Sequence, residues 1–305
     1  MELSIATTIY KSEKTIEEFL NRSIQALKKL KIENYEIIIV NDGSLDQSEN
    51  IIKKNFTNCK IKIINLSKNF GHHKATITAL KHCSGSNVFF VDSDLEINPE
   101  VIIDMWKFKD TDMVFTYTEN KYRSFIDKYL SKIFYRILNL LSDVKIDERY
   151  LNAFLFKKKC IENIVNIKER FFATFSIYTS IGFDKKKVLI DKKLHKGNTT
   201  YSLLKKIDLG LNFLINSSEK PLKILFYISL IQFLIVIGYF IFNSFGLTNQ
   251  NAALNFGSLD LLVVYLLSFL ILLISIILLY LAGLFLETKN RPISIIKEII
   301  DLEKN

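Results

Sequence analysis

Short β-branched runs alternate with amphipathic stretches through the first two-thirds of the chain, and two long uncharged apolar runs follow them. Leu3 to Ile9 and Tyr35 to Val40 read as strands. Between them, Ser12 to Leu30 opens with Ser12-x-x-Thr15 and sets Ile16, Phe19, Leu20, Ile24 and Leu27 at helical spacing. Glu36-Ile37-Ile38-Ile39-Val40 is apolar almost throughout, as a parallel strand buried on both faces would be, and it stops at Asn41-Asp42-Gly43-Ser44. The alternation continues with a strand over Lys60 to Leu66, a helix over Gly71 to Cys83 and a strand over Asn87 to Val91 that ends at Asp92. Met113 to Tyr117 and Val188 to Asp191 add further strands. This order predicts an α/β fold with a mostly parallel sheet, which binds ligands in the loops at the C-terminal ends of its strands.

The apolar runs Ile224 to Phe242 and Leu261 to Leu286 are each close to or above the roughly 20 residues a bilayer-crossing helix needs. Both are expected to span a membrane. Asn243 to Asp260 between them holds no Lys or Arg, whereas Lys220, Lys223, Lys289, Arg291 and Lys297 flank the pair, so the positive-inside rule puts both chain ends in the cytoplasm. Met1 to Tyr10 reads as a strand rather than a signal peptide. The expected organisation is a Rossmann-like domain over 1–200, a juxtamembrane amphipathic helix over 201–221, a two-helix membrane region over 222–286 and a cytoplasmic tail over 287–305. Arg123 to Leu141 is also amphipathic, with Ile126, Leu130, Ile133, Ile137 and Leu141 on one side and Lys128, Lys132 and Arg136 elsewhere. Two readings of it stay open: a helix lying on the bilayer, or one packed on the sheet with a solvated basic face.

Charge sharpens the membrane reading. The net charge is +9, and residues from Leu222 onward hold five Lys/Arg against five Asp/Glu, so the whole excess lies in the first 221 residues. A basic domain tethered to a membrane favours anionic lipid and phosphate-bearing ligands. The basic residues are scattered and no recognition motif accompanies them, so nucleic acid is not the expected partner. Cys59, Cys83 and Cys160 are odd in number and lack CxxC spacing, which points to reduced structural thiols.

The candidate chemistry lies at the strand ends. Asp92 and Asp94 follow the buried run Val88-Phe89-Phe90-Val91, and two carboxylates there suit Mg2+ or Mn2+ held against a diphosphate. Asp42 is placed to accept a hydrogen bond from a base or ribose, while Asn-Asp-Gly-Ser would form an Asx-type turn in any case. Neighbouring residues on a helix point about 100° apart, so His72 and His73 read as surface histidines rather than metal partners. No Ser/His/Asp or Cys/His set, Walker loop or GxGxxG loop stands out.

Several stretches together resemble the GT-A-fold glycosyltransferases of family 2, in particular the polyprenyl-phosphate glycosyltransferases related to dolichol-phosphate mannose synthase. They are Thr7-Thr8-Ile9-Tyr10, Val40 to Asp46, Leu66 to Ala75 (LSKNFGHHKA), Val91-Asp92-Ser93-Asp94-Leu95-Glu96, Phe134 to Asn139, Gly197 to Ser202 and the two apolar runs, in family order along nearly the whole chain. The resemblance implies nucleotide-sugar contacts from Thr8, Tyr10, Asp42, Lys68, Asp92, Ser93 and Asp94. It implies metal binding and catalysis by Asp92 and Asp94, and acceptor or phosphate contacts from Arg123, Lys132, Arg136, Lys193, Lys196 and Tyr201.

Relatives often carry Arg at the position of Lys68, and a Phe-Arg-Leu type stretch where this chain reads Ala153-Phe154-Leu155-Phe156; Lys157 or Lys158 is the expected substitute for the missing cation. Glu96 and Ile97 stand where the mannose synthases usually have Gln and a polar residue. The implied reaction is inverting transfer from a UDP- or GDP-sugar to undecaprenyl phosphate at the cytoplasmic membrane face, by a homo-oligomer serving cell-surface glycan synthesis. An acceptor phosphate is already ionised, so no strong general base is needed. Extension of a glycan at a hydroxyl acceptor and an inactive membrane scaffold are the alternatives.

Overall fold

The computed structural model describes residues 1–119, 125–143, 147–166, 178, 181–190, 210–211, 213–214, 218–244, 256–288 and 292–303. Contacts divide the chain into two compact units: Met1–Tyr135 with Ile146–Thr200 and Arg291–Asn305, and Arg136–Lys145 with Tyr201–Asn290.

The first unit is built on one eight-stranded sheet in the order β7-β5-β6-β4-β1-β2-β3-β8. Its centre is the parallel set β1 (Leu3–Ile9), β2 (Tyr35–Asn41), β3 (Ile61–Leu66) and β4 (Asn87–Val91). The helices α1 (Ile16–Leu30), α2 (Ser48–Asn55) and α3 (His72–Lys81) connect these strands. Successive side chains on a strand point to opposite faces. Ile5, Ile37, Ile39 and Phe89 therefore join one core with Phe19, Leu20 and Leu27 of α1, while Ala6, Ile38, Val40 and Phe90 join another with Ala75, Ile77 and Leu80 of α3. Each fully buried Ile, Leu or Phe contributes about 1.5–3 kcal/mol.

After β4 come a 3₁₀ turn at Pro99–Val101, α4 (Ile102–Trp106) and β5 (Met113–Tyr117). The helix α5 (Phe125–Leu141) precedes β6 (Tyr150–Lys157), α6 (Lys158–Asn166) and β7 (Lys185–Leu189). The sheet departs from the sequence reading here. The strand β6, which the periodicity did not predict, inserts antiparallel between β4 and β5, and β7 is Lys185–Leu189 rather than Val188 to Asp191. Because β6 is antiparallel, Lys157 pairs with Asn87 at the start of β4, the end of the sheet away from Asp92. Lys157 donates to the Asp110 carbonyl and Lys158 to the Cys83 carbonyl, so neither substitutes for a cation at the ligand edge. Phe154 stacks on Phe90 and Phe156, with ring centroids 5.2 and 4.3 Å apart.

The second correction is the tail. Residues 287–305 were expected to form a cytoplasmic tail, yet Ile296–Asp301 forms β8, antiparallel to β3 at the sheet edge. Asn65 donates to Glu298 across this pair at 3.0 Å, and Leu302 is buried in the core beneath α1. The opposite edge, β7, exposes Lys185, Lys186 and Lys187, charges of the kind that deter edge-to-edge pairing.

The second unit holds two long helices, α7 (Lys220–Ser244) and α8 (Phe256–Thr288). Among the described residues, one segment, Tyr265–Phe285, is long and apolar enough to cross a membrane, with a mean hydropathy of 2.8. In α7, Phe226, Tyr227, Ile231, Phe233 and Leu234 are all exposed, so this helix also carries an uncovered apolar surface. Ser229 and Ser275 return their hydroxyl protons to the carbonyls of Leu225 and Ile271, one turn back in each helix. The expected juxtamembrane helix over 201–221 falls largely outside the described residues.

Candidate active site

The strand order reverses between β1 and β4, since β2 and β3 continue to one side of β1 and β4 lies on the other. A crevice outside the carboxyl ends of strands at such a switch point is where open α/β sheets bind ligands. Thr8 in β1 and Asp92 just past β4 flank it. Ser93 joins the two ends by donating to the Thr8 carbonyl at 2.8 Å, with Ser12 Oγ 3.2 Å from the same hydroxyl. Ser93 is 3% exposed, and its hydroxyl pins the two strand ends together.

Asp42 ties two further loops together. Its carboxylate, expected to read a base, is buried and accepts the backbone N–H groups of Phe70 at 2.7 Å and Gly71 at 3.0 Å. Burial pushes its pKa up, and these two bonds only partly oppose the shift. What it visibly does is hold the loop after β3 against the loop after β2. The same packing explains Gly43: at φ +68°, a Cβ there would lie 2.5 Å from the Lys68 carbonyl carbon. The Asx-type turn expected of Asn-Asp-Gly-Ser is present, with the Ser44 N–H donating to Asn41 Oδ1 at 2.9 Å.

The β1 loop is tied to the β2 loop through Asp46. Its carboxylate accepts from Ser44 Oγ, Ser48 Oγ and the Glu13 N–H at 2.8, 2.7 and 3.0 Å. Burial alone would raise the pKa of Asp46, but these bonds outweigh it and leave the group below its ordinary value. The result is an open cleft of about 720 Å³ lined by Tyr10, Lys11, Glu13, Lys14, Gly43, Leu45 and Asp46. Tyr10 is half exposed on its wall. Lys68 is exposed, with Nζ 5.3 Å from the Phe70 ring centroid.

Asp92 is the most perturbed acid of the site. Its side chain is 26% exposed, and its Oδ1 is buried without a hydrogen-bond partner. Burial, with Asp94 and Glu96 adding repulsion, pushes its pKa up to about 6, against the opposing pull of His72 and Asn152. Asp94 is exposed, and its Oδ1 accepts the Glu96 N–H at 2.9 Å across Leu95, which sits in the left-handed region at φ +60°. Among the described residues no group of three or more His, Cys, Asp or Glu side chains forms a metal cluster. Two carboxylates do fit a hard dication that takes its remaining oxygens from phosphates and water. A carboxylate buried with one oxygen unpartnered also carries uncompensated charge, which a cation relieves.

Two further residues complete this corner. Asn152 of β6 donates to Asp92 Oδ2 at 2.7 Å and lies 3.0 Å from His72 Nε2, while His72 Nδ1 lies 3.3 Å from Thr8 Oγ1. His72 is 42% exposed, yet it stands in the site rather than on an idle helix face. Asn152 had no sequence signal, because β6 itself had none. Lys132 and Arg136 are exposed on α5. Arg123, Lys193, Lys196 and Tyr201 lie outside the described residues.

Comparison with known proteins agrees with this arrangement. The glycosyl transferase family 2 model matches residues 4–182. A protein of Mycobacterium tuberculosis described as "Putative glycosyltransferases" is 31% identical over 98% of this chain and 88% of its own length. The "Prophage bactoprenol glucosyl transferase homolog" of Escherichia coli K12 is 26% identical over 98% of this chain and 99% of its own. An "Undecaprenyl-phosphate 4-deoxy-4-formamido-L-arabinose transferase" of Shewanella sediminis is 24% identical over 73% of this chain and 69% of its own. With a matched region that covers more than half its residues and includes both Asp42 and the Asp92 to Asp94 pair, the chain belongs to glycosyl transferase family 2.

Proposed function

We propose that this enzyme transfers a sugar from a nucleoside diphosphate sugar to a polyprenyl phosphate at a membrane surface, with inversion at the anomeric carbon. The observation that carries the reading is the pair Asp92 and Asp94 at the switch-point crevice, beside a cleft large enough for a nucleoside. The acceptor class is supported by relatives described as acting on bactoprenol and undecaprenyl phosphate, together with the apolar helices of the second unit. Asp92 and Asp94 would hold Mg2+ or Mn2+, which when bound neutralises charge developing on the departing diphosphate. Thr8, Tyr10, Asp42, Lys68 and Ser93 would contact the nucleotide-sugar together with the acidic pair, and Asp42 also holds the Phe70–Gly71 loop in place. Lys132 and Arg136, with Arg123, Lys193, Lys196 and Tyr201, are the cations and hydroxyl available to the acceptor phosphate. That phosphate attacks as the anion it already is, so the proposed reaction needs no strong general base.

Two membrane spans, Ile224 to Phe242 and Leu261 to Leu286, are part of this proposal, with both chain ends and the sheet on the cytoplasmic side. The pairing of β8 with β3 supports them. A chain that leaves the sheet, enters a bilayer and returns to the same sheet must cross an even number of times. Tyr265–Phe285 therefore needs a second span, and α7 is long enough, at 25 residues and about 37 Å.

The test is transfer from radiolabelled UDP- and GDP-sugars to undecaprenyl phosphate by purified protein in detergent, with and without Mn2+ or Mg2+. A metal-dependent lipid-soluble product is expected. Donor hydrolysis without lipid product would overturn the acceptor assignment, and full activity in chelator would overturn the metal.

A further inference from the structure

We propose that Asn152 is a positioning residue for Asp92, holding its carboxylate in the orientation that presents it to a divalent cation on the donor diphosphate. The inference rests on the metal-dependent reading above and assigns a role to a residue on a different strand from the acidic pair. An Asn amide has two N–H donors. One hydrogen of Asn152 Nδ2 meets Asp92 Oδ2 at 2.7 Å, and the other faces His72 Nε2 at 3.0 Å. For Nε2 to accept, the His72 proton must sit on Nδ1, where it meets Thr8 Oγ1 at 3.3 Å. The partners thus assign one consistent chain of donors, from His72 to Thr8 and from Asn152 to both His72 and Asp92.

Asp92 Oδ1, 3.5 Å from His72 Nε2, has no hydrogen-bond partner of its own. Asn152 is therefore the side chain that fixes the carboxylate rotamer. The ring of His72, anchored to β1 through Thr8, fixes Asn152 in turn. Groups that orient a metal-binding carboxylate without touching the metal typically govern its affinity by 10–100-fold. The antiparallel insertion of β6 is what brings them together, since Val91 pairs with Ala153 and sets Asn152 beside Asp92.

The experiment is titration of the full-length protein in detergent with Mn2+, read by the loss of the free-ion electron paramagnetic resonance signal. Asn152→Leu keeps the branched shape and removes both donors; Asn152→Ala removes the side chain as well. Both are expected to weaken Mn2+ binding 10–100-fold with little change in Tm. The apparent KM for Mn2+ should rise by the same factor while kcat at saturating metal stays near wild type. Wild-type Mn2+ affinity in a folded Asn152→Leu or Asn152→Ala protein would overturn the role of Asn152 and leave the metal reading standing. Failure of the wild type itself to bind Mn2+ would overturn both.

Discussion

At the scale of single residues, the site rests on carboxylates in three different conditions. Asp42 is buried and bonded by two backbone N–H groups, Asp46 is held low by serine hydroxyls, and Asp92 is partly buried with its Oδ1 unpartnered. Only the last is left with charge that a cation would compensate. Asp94→Asn, which removes the second charge of the pair at an exposed position, should cut transfer by roughly 10²–10³-fold, as loss of one electrostatic contact to a transition state does. Circular dichroism should be unchanged; near-normal turnover in the presence of metal would remove the mechanism. Glu36, at the opposite end of the sheet, serves stability instead. Burial raises its pKa, but Ser4 Oγ at 2.6 Å and the Ser84 N–H and hydroxyl at 2.6 and 2.8 Å outweigh burial and leave it below its ordinary value of 4.5. A group lowered on folding stabilises the protein above its unfolded pKa, and that stability disappears as pH falls through the folded value. Glu36→Gln should therefore cost about 1–3 kcal/mol at neutral pH. It should also flatten the loss of stability below pH 4.5, as read by urea unfolding at several pH values.

At the scale of elements, β8 has the largest consequence. Its backbone satisfies the outer edge of β3, its Ser67–Ile295 bond at 2.9 Å extends the pairing, and Leu302 closes the core under α1. The sheet of the first unit is therefore completed by residues that follow the apolar helices. Leu302→Ala should destabilise that unit by about 2–5 kcal/mol, the range for buried Leu truncations. A chain stopped after Asn290 should expose the β3 edge and aggregate, and its recovery as a monodisperse, cooperatively unfolding protein would show β8 to be dispensable. The loop after β2 offers a sharper steric case. Gly43→Ala combines a positive φ with a 2.5 Å approach to the Lys68 backbone, so it should displace the Lys68–Phe70 loop and lower nucleotide affinity. Calorimetric titration with UDP and GDP reads this directly.

At the scale of the whole chain, the connectivity of the sheet constrains the proposed membrane topology. The sheet contains strands from before and after the apolar helices, so the proposed topology requires an even number of crossings. A single cysteine introduced as Asn251→Cys, in the connection between the proposed spans, should be labelled in intact cells by a membrane-impermeant maleimide once the native thiols are replaced. Labelling only after permeabilisation would put that connection in the cytoplasm and contradict the topology.

The sequence by itself determined the elements whose signal is local. Leu3–Ile9, Asn87–Val91 and Met113–Tyr117 match the predicted strands residue for residue, because a buried parallel strand announces itself as a short apolar run ending in turn residues. The same local logic located Asp92 and Asp94 at a strand's end, and the ordered motifs identified the family. Partners distant in the chain were decided only by tertiary structure. Tyr150–Lys157 carries no clear period, since its faces meet aromatic rings on one side and the α4 side of the core on the other. Ile296–Asp301 is short, charged and placed after a membrane-type helix, where a tail is the simpler reading. Asn152 reaches Asp92 across 60 positions and Glu298 reaches Asn65 across 233. A hydrogen bond at such separation leaves no repeat in the local pattern of apolar and polar residues. It exists only because strand order and direction, set by burial of the whole sheet, bring those two positions to the same edge.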